Sequence, residues 1–142
     1  MNIDSIKNGF VIDHIKAGNA MAVYQYLNLG ELDCPVAIIK NVVSGKMGKK
    51  DIIKIDADIN LDLDVLGYIA PDATVNVVKN SEIVDKMHLA LPETVTDVIK
   101  CKNPRCITSI EQDLDHVFVL TDAEKQVYRC KYCEEKYRDN NK

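Results

Sequence analysis

Four of the five cysteines in this 142-residue chain lie in two short clusters near its end. Their spacing is C-x4-C-x23-C-x2-C, formed by Cys101, Cys106, Cys130 and Cys133. Four thiolates are the ligand set of a closed tetrahedral zinc site, in which a tight turn supplies each pair. Because protein fills all four positions and leaves none for water or substrate, the pattern predicts one structural Zn²⁺ per chain rather than a catalytic metal.

Two other interpretations of the cysteine clusters stay open. The residues could form two disulfides or be ordinary buried thiols, although clustered cysteines in a reducing compartment are more often metal ligands. Iron could occupy the same four sulfurs, but the rubredoxin-type arrangement usually has two residues inside both cysteine pairs. No flavin or redox-partner motif accompanies the pattern, which favours zinc. Cys34, beside Pro35, lies outside it and is expected to be a small buried hydrophobe.

A second set of polar residues lies in the first hundred residues. Strand alternation in "KKDIIKI" sends Lys50 and Lys54 to one face, with Asp51 on the other. Two neighbouring lysines could hold a phosphate or a ribose, although solvated lysines beside a turn are the commoner case. Asp13 and His14 interrupt the apolar strand "VIDHI", so they must be paired, lie at the strand's end or meet a ligand.

The elements that position these residues alternate between strands and helices. Apolar periodicity and turn residues predict strands at 9–15, 35–43, 51–57, 73–80 and 81–91. One helix is predicted between Asn19 and Gly30, and a second from Asn60 to just before Pro71. The order is β-α-β-β-α-β-β, and its first six elements match the ferredoxin-like plan of an antiparallel sheet with two helices on one face. The expected class is α+β.

After residue 100 the pattern changes to short β stretches around the cysteines, at 106–112, 116–122 and 126–133. A segment this short cannot easily assemble an adequate apolar core, so a structural metal is a natural remedy. We therefore expect a first domain at 1–91, a connection at 92–100 and a small all-β zinc domain at 101–142.

Composition narrows the functional class. The formal net charge is −4, with 46% hydrophobic and 28% charged residues, as in a soluble globular protein. The acidic excess argues against a nucleic-acid or membrane-surface partner. The chain shows neither an apolar run long enough to span a bilayer nor a signal peptide at its start, so the expected compartment is the cytoplasm. We find no nucleophile–base pair, Walker loop or paired carboxylates that would indicate an enzyme.

Several motifs occur together in one order: "VIDHI", "SGKMGKKDIIKI", "YIAPDATVN" and the cysteine pattern. From about Ile6 to Tyr137 the chain resembles the regulatory chain of aspartate carbamoyltransferase, an enzyme of pyrimidine biosynthesis. The resemblance implies a non-catalytic chain with an allosteric domain that binds nucleoside triphosphates and a zinc domain that docks onto the catalytic chain. It also implies self-dimers that link two catalytic trimers into a dodecamer of six chains of each kind. In that family CTP, alone or with UTP, typically inhibits, and ATP typically activates.

The resemblance also implies which residues bind the nucleotide. Lys86, aided by His14, would meet the triphosphate, while Lys54 and Asp13 would hydrogen-bond ribose or base atoms. Ser81 stands where some members have an aromatic residue beside the base, so base preference can differ here. The full set of matching positions is Ile6, Val11, Asp13, His14, Lys50, Lys54, Asn76, Ile83 and Lys86.

In the zinc domain the same resemblance implies contacts with the catalytic chain. Asn103 and Glu134 match contacting positions, whereas Arg105 departs from the polar amide expected there. Two competing functions remain. A zinc-ribbon nucleic-acid-binding protein would suit the aromatic and basic residues of "CKYCEEKYR", against the overall acidity. The other competing function is that of an enzyme or an electron carrier.

Overall fold

The computed structural model describes residues 6–45 and 48–137, so Lys46, in the motif "SGKMGKKDIIKI", lies outside the described residues. The chain divides into two compact units, Met1–Ala90 and Leu91–Lys142. Within the described ranges, no helix is both long and apolar enough to cross a membrane.

The first unit is a five-stranded antiparallel sheet with helices. Its strand order is β2-β3-β1-β4-β5. The first four positions reproduce the ferredoxin-like order, which confirms the predicted class, and β5 extends the sheet at one edge. The elements are β1 Gly9–Lys16, α1 Ala20–Tyr26, a 3₁₀ turn at Leu29–Glu31, β2 Val36–Ser44, β3 Gly48–Ile55, α2 Leu63–Ile69, β4 Thr74–Lys79 and β5 Glu82–His88.

One face of this sheet forms the core. Ile12 of β1 lies opposite Ile53 of β3 and Val75 of β4, and all three side chains are fully buried. Val23 of α1 and Leu66 of α2 belong to the same buried cluster, so both helices cover this face. Successive residues of a strand point to opposite faces of the sheet. Because α1 and α2 cover the core face, the other face carries no helix of this unit and can hold polar side chains.

Asp51 is a charged residue on the core side and is fully buried. Its Oδ2 accepts hydrogen bonds from the backbone N–H groups of Gly18 (3.0 Å) and Ala20 (3.3 Å). Its Oδ1 accepts one from Asn41 N–H at 2.9 Å. The carboxylate therefore accepts hydrogen bonds at the start of α1, where the side chain of the N-cap residue, Asn19, makes no capping hydrogen bond.

The helix predicted from Asn60 begins later than expected. Asp62 is its N-cap, and its carboxylate accepts hydrogen bonds from the backbone N–H groups of Asp64 and Val65. The turn between β4 and β5 follows the prediction more closely. Asn80 and Ser81 both have positive φ angles, 53° and 66°, as a two-residue type I′ hairpin turn requires.

The second unit is a three-stranded sheet of order β6-β7-β8, made of β6 Thr94–Thr96, β7 Val117–Asp122 and β8 Val127–Cys130. Strand β6 lies inside the segment that we expected to be only a connection. The prediction of a strand at 106–112 was wrong, because this stretch contains a single helical turn, α3 Ile107–Ile110. The core of the second unit is small and includes Val95, Phe118 and Tyr128.

Candidate functional site

The four clustered cysteines come from two backbone turns of the second unit. In the first, Asn103 O accepts hydrogen bonds from Cys106 N–H (3.1 Å) and from the Ser109 hydroxyl (2.7 Å). In the second, Cys130 O accepts a hydrogen bond from Glu134 N–H at 2.9 Å, and Glu134 takes a positive φ of 64° to close the turn. Each turn therefore presents two sulfurs on the same side.

The sulfurs meet in one cluster. The four Sγ atoms of Cys101, Cys106, Cys130 and Cys133 all lie within 4.8 Å of one another. Cys101 Sγ lies 3.6 Å from Cys133 Sγ, and Cys106 Sγ lies 3.7 Å from Cys130 Sγ. A zinc ion with four thiolates at about 2.3 Å separates its sulfurs by about 3.8 Å, so these residues fit the ion. All four cysteines are free, so the disulfide interpretation gains no support.

The thiols differ in their ionisation. Burial raises the pKa of the Cys101 thiol to about 12. Burial also acts to raise the pKa of Cys106, but hydrogen bonds from the Thr108 side chain and backbone, with smaller contributions from neighbouring cysteines, outweigh it and lower that pKa to about 7. Burial raises the pKa of Cys130. A divalent cation would favour the ionised form of every sulfur, since it binds thiolates and not thiols.

Exposed and half-buried residues lie close in sequence to the clustered cysteines. Glu134 is exposed directly after the last cysteine, and Asn103 is half-buried, with its Oδ1 accepting a hydrogen bond from Arg105 N–H. Ile110 is 64% exposed and Tyr132 is 44% exposed, each within four residues of a clustered cysteine. Exposed apolar side chains indicate an interaction surface where they form a contiguous patch, whereas single ones are ordinary.

The helix-free face of the first unit's sheet carries a row of residues from four adjacent strands. Lys54 of β3 lies opposite Val11 of β1, and Val11 lies opposite Asn76 of β4. Asn76 in turn lies opposite Lys86 of β5. Residues directly opposite one another in a sheet share a face, so this row brings together four of the nine positions implied by the resemblance.

Asp13 and His14 lie next to the row, at an irregularity in β1. The pairing of β1 with β3 shifts between Ile12 and Ile15, and His14 has a φ of 59°. Asp13 Oδ1 lies 3.0 Å from Lys50 Nζ, and His14 Nδ1 lies 3.1 Å from Thr74 Oγ1. Both polar residues of the apolar strand are therefore paired, one of the three outcomes that the sequence allowed.

Asn76 has a buried side-chain oxygen without a partner. Its Oδ1 is the one buried side-chain N or O atom, within the part of the chain that the structure describes, that lacks a hydrogen bond. Leaving a buried acceptor unsatisfied costs about 1–3 kcal/mol. Such atoms in folded proteins usually require an explanation, and a bound ligand with a donor group is one.

The remaining implied residues lie toward the β4–β5 turn. Ser81 N–H donates to Lys7 O at 2.9 Å, which brings the segment beginning at Ile6 to this turn. Ile6 is buried, whereas Ile83 pairs with Val78 and is 64% exposed. Ile83 therefore lies apart from the polar row.

Three residues in contact with these sites were not predicted. Thr74 contacts His14, and its position two residues before Asn76 in one strand could have indicated it. Thr108 contacts Cys106, with its Oγ1 3.1 Å from the Sγ. His116 accepts a hydrogen bond at Nδ1 from Cys101 N–H at 3.1 Å, across a sequence separation that no local pattern reveals.

Comparison with known families defines the class of this protein. It is a two-domain regulatory chain, with an allosteric domain followed by a metal-binding domain. Residues 1–90 match the aspartate carbamoyltransferase regulatory chain, allosteric domain, and residues 93–141 match the metal-binding domain of the same chain. The chain belongs to the aspartate carbamoyltransferase regulatory chain family. It is a regulatory chain and not a catalytic one.

Individual relatives agree with this assignment over nearly their full length. The regulatory chain of Clostridium tetani is 53% identical over 97% of this chain and 96% of its own length. That of Clostridium acetobutylicum is 51% identical over 97% and 94%. That of Bifidobacterium longum is 45% identical over 95% and 97%. A regulatory chain implies association with an aspartate carbamoyltransferase catalytic chain.

Proposed function

We propose that the helix-free face of the first unit binds the nucleoside triphosphates CTP, UTP and ATP. The row formed by Lys54, Val11, Asn76 and Lys86 carries the proposal, because it places two cations and an unpartnered acceptor on one surface. Asn76 Oδ1 would accept a hydrogen bond from a donor on the base or ribose. Lys86 would supply charge for the phosphates, and Val11 an apolar contact.

The neighbouring residues support the same assignment. His14 lies beside the row with one ring nitrogen engaged by Thr74, and its protonated form would add charge to the phosphate end. Lys50 lies against Asp13, whose carboxylate can accept hydrogen bonds from ribose hydroxyls. Ile6 and Ile83 belong to the end of the sheet where a base would extend. An exposed Ile83 side chain would become covered by the base.

Isothermal titration of CTP, UTP and ATP into the zinc-loaded chain tests this proposal. Lys86→Ala is expected to weaken CTP binding by about tenfold, because a charge-assisted contact to phosphate is lost. Cytidine, which lacks phosphates, should bind both proteins alike. Lys79→Ala, at another exposed lysine in the β4–β5 hairpin, is the matched control and should match the unmodified chain. No heat of binding at millimolar nucleotide would contradict the proposal.

For the second unit, we propose that the four cysteines hold a structural Zn²⁺ and that the surface around them docks onto the catalytic chain. When bound, the ion supplies a cross-link between two backbone turns and no chemistry of turnover. Glu134 and the exposed Ile110 and Tyr132 would face the partner, since each follows closely on a clustered cysteine. Asn103 would act in part through the backbone turn that it stabilises.

A charge reversal tests the docking surface. Glu134→Lys should weaken capture of the same organism's catalytic chain, whereas Glu124→Lys, on the β7–β8 connection, should not. Both variants replace an exposed glutamate and make the same change in net charge. Equal capture by both variants would contradict the assignment of Glu134.

The assembly is the remaining part of the proposal. We infer that two copies pair through their allosteric domains and that such pairs join two catalytic trimers in the cytoplasm, giving six chains of each kind. A nucleotide would then regulate the enzyme by binding one quaternary state more tightly than the other. Mass determination of the co-purified complex tests the six-to-six composition.

A further inference from the structure

The Thr108 hydroxyl lies against one of the clustered sulfurs. Its Oγ1 is 3.1 Å from Cys106 Sγ, a distance typical of a hydrogen bond to sulfur. Thr108 is 4% exposed and Cys106 is 2% exposed, so water cannot readily replace either partner. Thr108 is also one of only three buried polar or charged residues in the described part of the chain.

Metal binding fixes the direction of this hydrogen bond. In the metal-free chain either the thiol or the hydroxyl can be the donor. A metal-bound cysteine is a thiolate and has no proton to give. The hydroxyl must then donate, and its Oγ1–H points its positive end at the sulfur.

This hydrogen bond stabilises the negative charge of the metal-bound cluster. Four thiolates around a divalent cation carry a net charge of −2, and Cys106 and Cys130 hold part of it in almost complete burial. A buried charge is stable only where neighbouring dipoles or hydrogen bonds compensate it. The hydroxyl donor compensates the sulfur of one of these two buried cysteines, and the helical turn α3, which begins directly after Cys106, holds Thr108 beside it.

We infer that Thr108 is a positioning residue that retains the metal by donating a hydrogen bond to the Cys106 thiolate. The inference rests on the four-cysteine zinc site proposed above. Hydrogen-bond partners of metal ligands typically change metal affinity by 10–100-fold when they are removed, which is about the range expected here. The role is specific to the hydroxyl rather than to the volume of the side chain.

Substitutions that separate the hydroxyl from the volume test this inference in the full-length chain. Thr108→Val keeps the branched shape and removes the donor, whereas Thr108→Ser keeps the donor and removes a methyl group. Thr96→Val makes the same chemical change at an exposed threonine of β6 and is the control. Zinc affinity and release are measured by competition with a chromogenic chelator.

We expect Thr108→Val to bind zinc about tenfold more weakly and to release it faster, with Thr108→Ser and Thr96→Val close to the unmodified chain. A Co²⁺-loaded sample adds a spectroscopic signature. Loss of the donor should move the sulfur-to-cobalt charge-transfer band to longer wavelength in Thr108→Val only, because the sulfur becomes richer in electrons.

Zinc retention and a cobalt band unchanged in Thr108→Val would overturn the inference. Equal weakening in Thr108→Val and Thr108→Ser would also overturn it, because packing of the methyl group would then be responsible. Should Thr108→Val fail to fold, Thr108→Ala against Thr108→Ser decides: weaker binding in the alanine variant alone supports the hydroxyl, and equal binding contradicts it. An unmodified chain that binds no zinc would instead contradict the metal site itself.

Discussion

Lys50 Nζ lies 3.0 Å from Asp13 Oδ1, so a carboxylate already balances one cation beside the proposed nucleotide face before any ligand arrives. The two side chains are 16% and 21% exposed, which shields the pair from water more than a surface ion pair. A triphosphate bound at this proposed site would therefore share Lys50 with Asp13. The strength of nucleotide binding should depend on the pair and not only on the number of lysines.

The Asp13–Lys50 pair predicts non-additive substitutions. Lys50→Gln removes a cation and leaves the Asp13 carboxylate unbalanced beside the phosphates, so CTP affinity should fall by about tenfold. In the double variant Asp13→Asn/Lys50→Gln the repelling charge is also gone, and part of the loss should be recovered. Titration calorimetry on the four proteins of the cycle measures the coupling. Strictly additive effects would show that the pair does not act on the ligand.

Asn76→Leu should separate stability from binding. The substitution removes a buried oxygen that has no hydrogen bond, so the ligand-free chain should unfold at the same or a higher temperature. The donor group of the nucleotide would then face an apolar side chain, and the rise in melting temperature produced by CTP should disappear. Thermal unfolding with and without CTP checks both effects. A variant that is destabilised but keeps the full CTP-induced shift would contradict the role of Asn76.

Asp51→Asn should destabilise the first unit by about 2–4 kcal/mol. Three backbone N–H groups donate to the carboxylate, and an amide would turn an NH₂ donor toward some of them. Urea unfolding of the variant gives the change in the free energy of unfolding. Asp58→Asn, at an exposed carboxylate shortly after β3, provides the comparison and should be nearly neutral. A similar small effect at both positions would mean that the buried carboxylate is not needed.

Zinc affinity should rise with pH between 6 and 8. Burial raises the pKa of Cys101 to about 12, so this thiol is protonated throughout the range in the metal-free chain and must lose its proton to bind. Cys106, with a pKa lowered to about 7 chiefly by Thr108 against the effect of burial, ionises at a much lower pH than Cys101. One displaced proton gives about a tenfold change in affinity per pH unit, hence at least about 100-fold over the range. Affinity that does not vary with pH would contradict thiol displacement.

Local patterns predicted most of the sheet in the first unit. Alternation in β3 correctly assigned Lys50 and Lys54 to one face and Asp51 to the other, because one face of this strand is buried and the other is not. The start of α2 was predicted at Asn60, whereas the helix has Asp62 as its N-cap. Asp62 forms the cap because its carboxylate accepts hydrogen bonds from two backbone N–H groups. Capping propensity alone does not distinguish Asp62 from Asn60.

The second unit was harder to predict because its elements are short and depend on distant contacts. Ile107 and Thr108 are β-branched and favour a strand, but hydrogen bonds to Asn103 O from Cys106 N–H and from the Ser109 hydroxyl close a turn here, and the helical turn α3 starts directly after Cys106. The cysteine spacing predicted the metal cluster because both turns are local. Other features depend on how distant segments pack together, which no short stretch of sequence reveals. They are the three backbone N–H groups that donate to Asp51, the hydrogen bond between Cys101 and His116, and the burial of Asn76 Oδ1 without a partner.

The most direct test is the enzymatic activity of the complex formed by co-expressing this chain with the same organism's catalytic chain. We predict a complex whose aspartate carbamoyltransferase activity changes on addition of CTP or ATP. In complexes carrying Lys86→Ala, assembly should be intact and the CTP response should require about tenfold more nucleotide. In complexes carrying Cys133→Ser, assembly itself should fail. An unaltered CTP response in the Lys86→Ala complex, or normal assembly without the fourth sulfur, would contradict a nucleotide sensor joined to its enzyme through a metal-stabilised domain.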